Sequence, residues 1–126
     1  MRLSSSVVFF SLALGLAGCD HSIEAPVGTG LCWHLASAPD GKVKWNQLAQ
    51  NQPDLEHCAA QLDQMRLRFM GLGSMQDHVT GAFQGQFLFA GPEGVYTSQT
   101  YKGYRYLLMV HSGDGRLVKP GAMPVE

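Results

Sequence analysis

Apolar residues are spaced unevenly along the chain, and the spacing changes period from segment to segment. Val7 to Leu16 is an apolar run broken only by Ser11 and Gly15. Leu31-Cys32-Trp33-His34-Leu35 is a second short apolar segment, and it marks the expected start of the folded domain. Lys42-Val43-Lys44-Trp45 alternates polar and apolar, the period of a half-buried strand; Asn46 to Gln50 either continues it or forms a helical turn. Ala38-Pro39-Asp40-Gly41 before it is a turn, because Pro presets φ and Gly accepts positive φ.

Pro53 to Met70 is the clearest element. Leu55, Cys58, Ala59, Leu62, Met65, Arg66 and Phe69 recur at intervals of three and four, which places them on one helix face. Pro53 suits the first turn. Asp54 and Glu56 place negative charge at the positive end of the helix dipole, and Arg66 and Arg68 place positive charge at the other end. Gly71 is the expected residue just past the helix. Asp54, Glu56 and Asp63 read as solvent-facing or capping residues.

Gly71 to Gly85 reads as a glycine-rich loop with a short strand or turn at His78 to Phe83. Three strand-like runs follow. Gln86 to Ala90 puts Phe87 and Phe89 on one face and Leu88 on the other. Val95 to Thr100 is rich in β-branched and aromatic residues. Tyr104 to Val110 puts Tyr104, Tyr106, Leu108 and Val110 on one side and Arg105, Leu107 and Met109 on the other. Turns at Gly91-Pro92-Glu93-Gly94 and Tyr101-Lys102-Gly103 make the runs consecutive antiparallel strands. Arg116 to Val118 adds a short last strand. The fold expected is α+β: one main helix packed on a small antiparallel β-meander.

Composition narrows the function. The chain has 126 residues, 9 basic and 10 acidic, with a net charge of −1. Nucleic acid is therefore not an expected partner, because phosphate contacts need clustered Lys and Arg. An apolar share of 45% with 15% charged residues is that of a folded domain, and the length suits one.

The N-terminus changes the picture most. Arg2, the Val7–Leu16 run and the small residues after it have the order of a secretory signal, and the run is shorter than the roughly 20 residues of a membrane span. The run ends in Leu16-Ala17-Gly18-Cys19, which resembles the lipobox of bacterial lipoproteins. That resemblance covers the first 19 residues. It implies cleavage before Cys19, attachment of a diacylglyceryl group to its sulfur so that the mature protein carries two or three fatty acyl chains such as palmitate, and attachment to a cell membrane on the periplasmic side. Asp20 resembles the signal that keeps such proteins in the inner membrane, with the outer membrane as the alternative. The expected organisation is residues 1–18 as signal, 19–30 as lipidated Cys and flexible tether, and 31–126 as a single domain. Pro26, Gly28 and Gly30 give the tether its character.

Of three cysteines, lipidation of Cys19 leaves Cys32 and Cys58. An even pair in an exported domain reads as a disulfide, stabilising by about 3 kcal/mol in the chain-entropy model. His34 and His57 flank this pair, so a four-ligand zinc or copper site is the alternative, as are free thiols. Five His and the scattered Met65, Met70, Met75, Met109 and Met123 keep copper handling open, although no M-x-x-M cluster occurs.

Catalytic chemistry has few candidates. Gly71-Leu72-Gly73-Ser74-Met75 follows a helix, whereas a phosphate loop precedes one. A Cys–His nucleophilic pair is abolished by a disulfide. Asp77-His78 is the best isolated acid–base pair. Tyr96, Tyr101, Tyr104 and Tyr106 fall in the meander and form a possible surface for a partner protein or a glycan. The function expected is that of a lipid-anchored envelope protein without catalysis or cofactor, a binding or accessory module for an unidentified envelope protein. Metal handling is the alternative.

Overall fold

The computed structural model describes residues 23–121. The signal segment, Cys19, Asp20 and Met123 lie outside the described residues.

Among the described residues, seven strands and one helix form the fold. β1 (Cys32–Ser37) and β2 (Val43–Ala49) are joined by the Pro39–Gly41 turn, where Gly41 takes φ 81° and its N–H donates to the Ala38 carbonyl at 3.0 Å. Asn46 to Ala49 thus continues the strand rather than forming a helical turn. Helix α1 (Leu55–Gly71) follows, then β3 (Val79–Phe83), β4 (Gln86–Gly91), β5 (Gly94–Ser98), β6 (Tyr106–His111) and β7 (Leu117–Val118). The sheet order is β2-β1-β3-β4-β5-β6-β7 and every neighbouring pair is antiparallel. The expected α+β class holds. The meander is larger than its three clearest runs, because β1 and β2 join the same sheet through β3.

The helix begins where its caps dictate. Asp54 is the N-cap, with extended backbone, and its carboxylate accepts from the His57 N–H at 2.8 Å. Pro53 therefore lies just before the cap rather than in the first turn. The stop also differs from expectation: Gly71 is the last helical residue, and Gly73, at φ 84°, makes the reversal. The Gly73 N–H donates to the Met70 carbonyl and the Ser74 N–H to the Phe69 carbonyl, satisfying the last turn.

Strand alternation sorts the sheet into two faces. Toward the helix point Cys32, Val79, Phe83, Leu88, Ala90, Val95 and Met109, which form one core with Cys58, Ala59 and Leu62 of α1. Gly81 also lies under the helix, and a Cβ there would overlap the Leu62 methyl groups and the Trp33 carbonyl oxygen. The glycine is what lets α1 approach the sheet closely. Cys32 and Cys58 are fully buried and joined by a disulfide, with Cα atoms 5.3 Å apart. The bridge fastens the first strand to the helix and is the disulfide expected of the Cys32 and Cys58 pair.

One placement overturns the sequence reading. Asp63 is not on the solvent side of the helix; it is 4% exposed, as is Arg66. The Arg66 Nε–H donates to the Asp63 carboxylate at 3.1 Å, and Nε2 of His111 on β6 lies 3.0 Å from both carboxylate oxygens. The reason is that the buried stripe of α1 is wider than its apolar residues, and an imidazole from β6 meets it at the edge.

The expected tether is partly docked. The Gly85 N–H donates to the Pro26 carbonyl at 3.1 Å, the Gly30 N–H to Gln84 Oε1 at 3.0 Å, and the Gln52 N–H to the Gly30 carbonyl at 2.9 Å. Gln84 and Gly85, both at positive φ, form the two-residue turn between β3 and β4 that holds this leg.

Candidate functional site

The sheet face away from the helix carries the aromatic residues. Trp33, Leu35 and Trp45 lie there on β1 and β2, Thr80 and Ala82 on β3, Phe87 and Phe89 on β4, and Tyr96 on β5. The Phe87 and Phe89 rings stack at 6.2 Å between centroids, and Trp45 lies 6.0 Å from Phe87. Both phenylalanines are buried although no helix covers them.

Their cover comes from the segment between β5 and β6. The Ser98 hydroxyl donates to the Thr100 carbonyl at 2.7 Å and accepts from the Thr100 N–H at 3.3 Å. This hydroxyl clasp ends β5 at Ser98, two residues short of the expected run, and turns the chain back over the sheet. Tyr101 then lies edge-on to Phe87 at 5.8 Å and 6.2 Å from Phe89. The Arg105 guanidinium sits 3.5 Å above the Phe89 ring, a cation–π contact. The strand expected from Tyr104 consequently starts at Tyr106.

Among the described residues, clefts open at several places around this surface, and three bear on the site. The first, about 600 Å³, is lined by His34, Phe69, Met75, Asp77, His78 and Tyr101 among others. The second, about 410 Å³, is lined by His78, Phe89, Glu93, Tyr96 and Arg105. His78 belongs to both, and it lies against Gly91, where an added Cβ would come within 3.0 Å of its ring. The third, about 700 Å³, lies at the other end of the β3–β4 hairpin, beside Gly85, Phe87 and the docked leg.

The electrostatics of the first two clefts are mixed. Asp77 Oδ1 and His78 Nδ1 are 2.5 Å apart. Partial burial beside Phe69, whose ring centroid is 6.3 Å away, holds the His34 imidazole below its ordinary value of 6.5. The Tyr96 phenol donates to Glu93 at 3.1 Å, and that bond pushes its ionisation above the ordinary value of 10.0. The site thus offers a neutral imidazole, an acid–imidazole pair, aromatic edges, one guanidinium and one carboxylate.

The four tyrosines separate. Tyr101 lines the first and third clefts and Tyr96 the second. Tyr104 and Tyr106 instead pair edge to face at 4.9 Å, and both are strongly exposed. His34 and His57 also part. His34 faces the first cleft, while Nδ1 of the exposed His57 lies 2.6 Å from the N-cap Asp54. With both sulfurs bonded to each other, Cys32 and Cys58 cannot act as the thiolate ligands of a four-ligand metal site. Among the described residues no three His, Cys, Asp or Glu side chains cluster in metal-binding geometry.

Sequence reasoning found Asp77, His78, Tyr96 and Tyr101 but not Glu93 or Arg105. Glu93 reads as a turn residue. Arg105 precedes β6, so strand alternation does not place it, and it reaches Phe89 only once the 98–105 segment folds over the sheet. The Asp63–Arg66–His111 cluster lines none of the three clefts and ties α1 to β6. Among the described residues no helix is long and apolar enough to cross a membrane. Comparison with family models, curated proteins and solved structures returns no match for this chain.

Proposed function

We propose that the protein is a lipid-anchored envelope lipoprotein, held through Cys19, that works as a non-catalytic binding module for an envelope protein. The observation that carries the binding role is the pair of clefts meeting at His78 on the aromatic face. Tyr96, Tyr101 and Phe89 supply apolar edges, and Arg105, Glu93 and Asp77 supply charges of both signs. Interfaces combine these features: aromatic and Arg anchors at the centre with a polar surround. The lipobox residues Leu16-Ala17-Gly18-Cys19 support the anchor, and the disulfide suits an oxidising compartment. Anchoring in the inner membrane through Asp20 belongs to the same proposal.

The test is recovery of the full-length protein from membranes after gentle crosslinking, beside Cys19→Ser and Arg105→Glu variants. A specific protein partner is expected with the native chain and is lost in Arg105→Glu. Recovery of the native protein always alone overturns the reading. An acid–base reading of the same cleft rests on the Asp77–His78 pair, which lines it together with His34; chemical turnover of a bound molecule that His78→Ala abolishes would favour it over simple binding.

A further inference from the structure

We infer that the third cleft is the surface by which the domain rests on the bilayer, with a phospholipid surface as its occupant. This inference rests on the lipoprotein reading above.

The position of the cleft carries the inference. Its walls include Ile23, Ala25 and Val27 of the N-terminal leg, and Phe87, Tyr101 and Lys102 of the aromatic face. The leg is fixed rather than loose, because Pro26 and Gly30 are hydrogen-bonded to the Gln84–Gly85 turn. Only four peptide units separate Ile23 from Cys19. Fully extended, they span about 14 Å. A lipid on Cys19 therefore cannot reach its membrane without bringing this end of the sheet near the headgroups.

The chemistry fits that neighbour. Val27 is 79% exposed and Tyr101 half-buried at the rim. Apolar side chains and amphipathic rings of this kind favour the membrane–water boundary. The exposed Lys102 supplies a cation for lipid phosphate, while Glu24 is the one acid among the described residues that line the same cleft. The geometry also has a consequence for the proposed partner site. Val79 and Thr80 line the first cleft and Gly85 and Phe87 line the third, so the two open toward opposite ends of the β3–β4 hairpin. With the Gln84–Gly85 end at the bilayer, the His78 end is held away from it.

The experiment uses the full-length chain in living bacterial cells. A photoreactive benzoylphenylalanine replaces Val27, Lys102 or, as a control, the exposed Leu72 beyond the far end of α1, and the cells are labelled with palmitate. Phospholipid-mass adducts are expected at positions 27 and 102 and at least severalfold fewer at 72. In the position-102 form, Val27→Asp lowers adduct yield severalfold. Palmitate incorporation without adducts at 27 and 102, or with equal adducts at all three positions, overturns the docking surface and leaves the lipoprotein reading intact. Absence of palmitate overturns both.

Discussion

Asp63 in the middle of α1 and His111 at the end of β6 meet across 48 residues of chain, with Nε2 of the ring 3.0 Å from each carboxylate oxygen. The other ring nitrogen, Nδ1, donates to the Pro92 carbonyl at 3.0 Å. One imidazole thus bridges the helix and the β4–β5 turn. Arg66 completes the cluster from the next helical turn, its Nε 3.1 Å from Asp63 and its Nη1 3.4 Å from Met70 Sδ. Removing the carboxylate leaves a buried guanidinium without its counter-charge. Asp63→Ala is therefore expected to cost about 3–5 kcal/mol. Urea unfolding of Asp63→Ala, His111→Ala and the double variant checks the coupling; additivity within about 0.5 kcal/mol would show that the two residues do not act together.

The Cys32–Cys58 bridge joins the first strand to the helix within the fully buried core. Its loss raises the entropy of the unfolded chain and frees the N-terminal strand. The Cys32→Ala/Cys58→Ala pair is expected to lose about 2–5 kcal/mol, a large part of the 5–15 kcal/mol typical of a domain. Denaturant midpoints of the native and double-variant chains measure it. Equal midpoints would show that the bridge adds nothing to stability.

Gly81→Ala tests the helix–sheet contact. The added methyl group meets Leu62 from above and the Trp33 carbonyl from the side, and the carbonyl belongs to a paired strand that cannot move alone. Overpacking of this kind costs about 1–3 kcal/mol. A Gly81→Ala/Leu62→Ala double variant as stable as Leu62→Ala alone would confirm that Leu62 is the obstruction. An unchanged thermal midpoint in Gly81→Ala would show that the helix has room to shift.

What could be read from the sequence follows from the range of each interaction. The α1 face, the Pro39–Gly41 turn, the Phe87/Leu88 alternation and the Cys32–Cys58 pair are set by local period and composition. Asp63 was misplaced because its partner His111 is distant in sequence and a lone acid on a helix ordinarily faces water. The β5 boundary was misjudged because Thr100 is a good strand residue, and the Ser98 hydroxyl captures its backbone instead. The candidate site was half legible. Asp77, His78, Tyr96 and Tyr101 are chemically conspicuous, whereas Glu93 and Arg105 join them only once β4, β5 and the 98–105 segment are folded together. The sheet's second face, with Phe87 and Phe89 buried under Tyr101 and Arg105, needed the strand order to become visible.

His34 makes the pH dependence of the domain directional. Burial beside Phe69 lowers its pKa below the ordinary value of 6.5, so the folded state prefers the neutral ring. Between the lowered folded value and 6.5 the unfolded chain binds more protons than the folded one. Stability therefore rises with pH through that window. Above 6.5 both states carry a neutral ring and the dependence from this residue vanishes; below it, acidification favours unfolding. His34→Gln removes the titrating group from the first cleft while keeping a polar side chain of similar reach. Urea midpoints taken between pH 5 and 8 should show a shallower acid-side decline for His34→Gln than for the native chain. Parallel curves for the two would mean that the imidazole is as free to ionise in the folded protein as in the unfolded one.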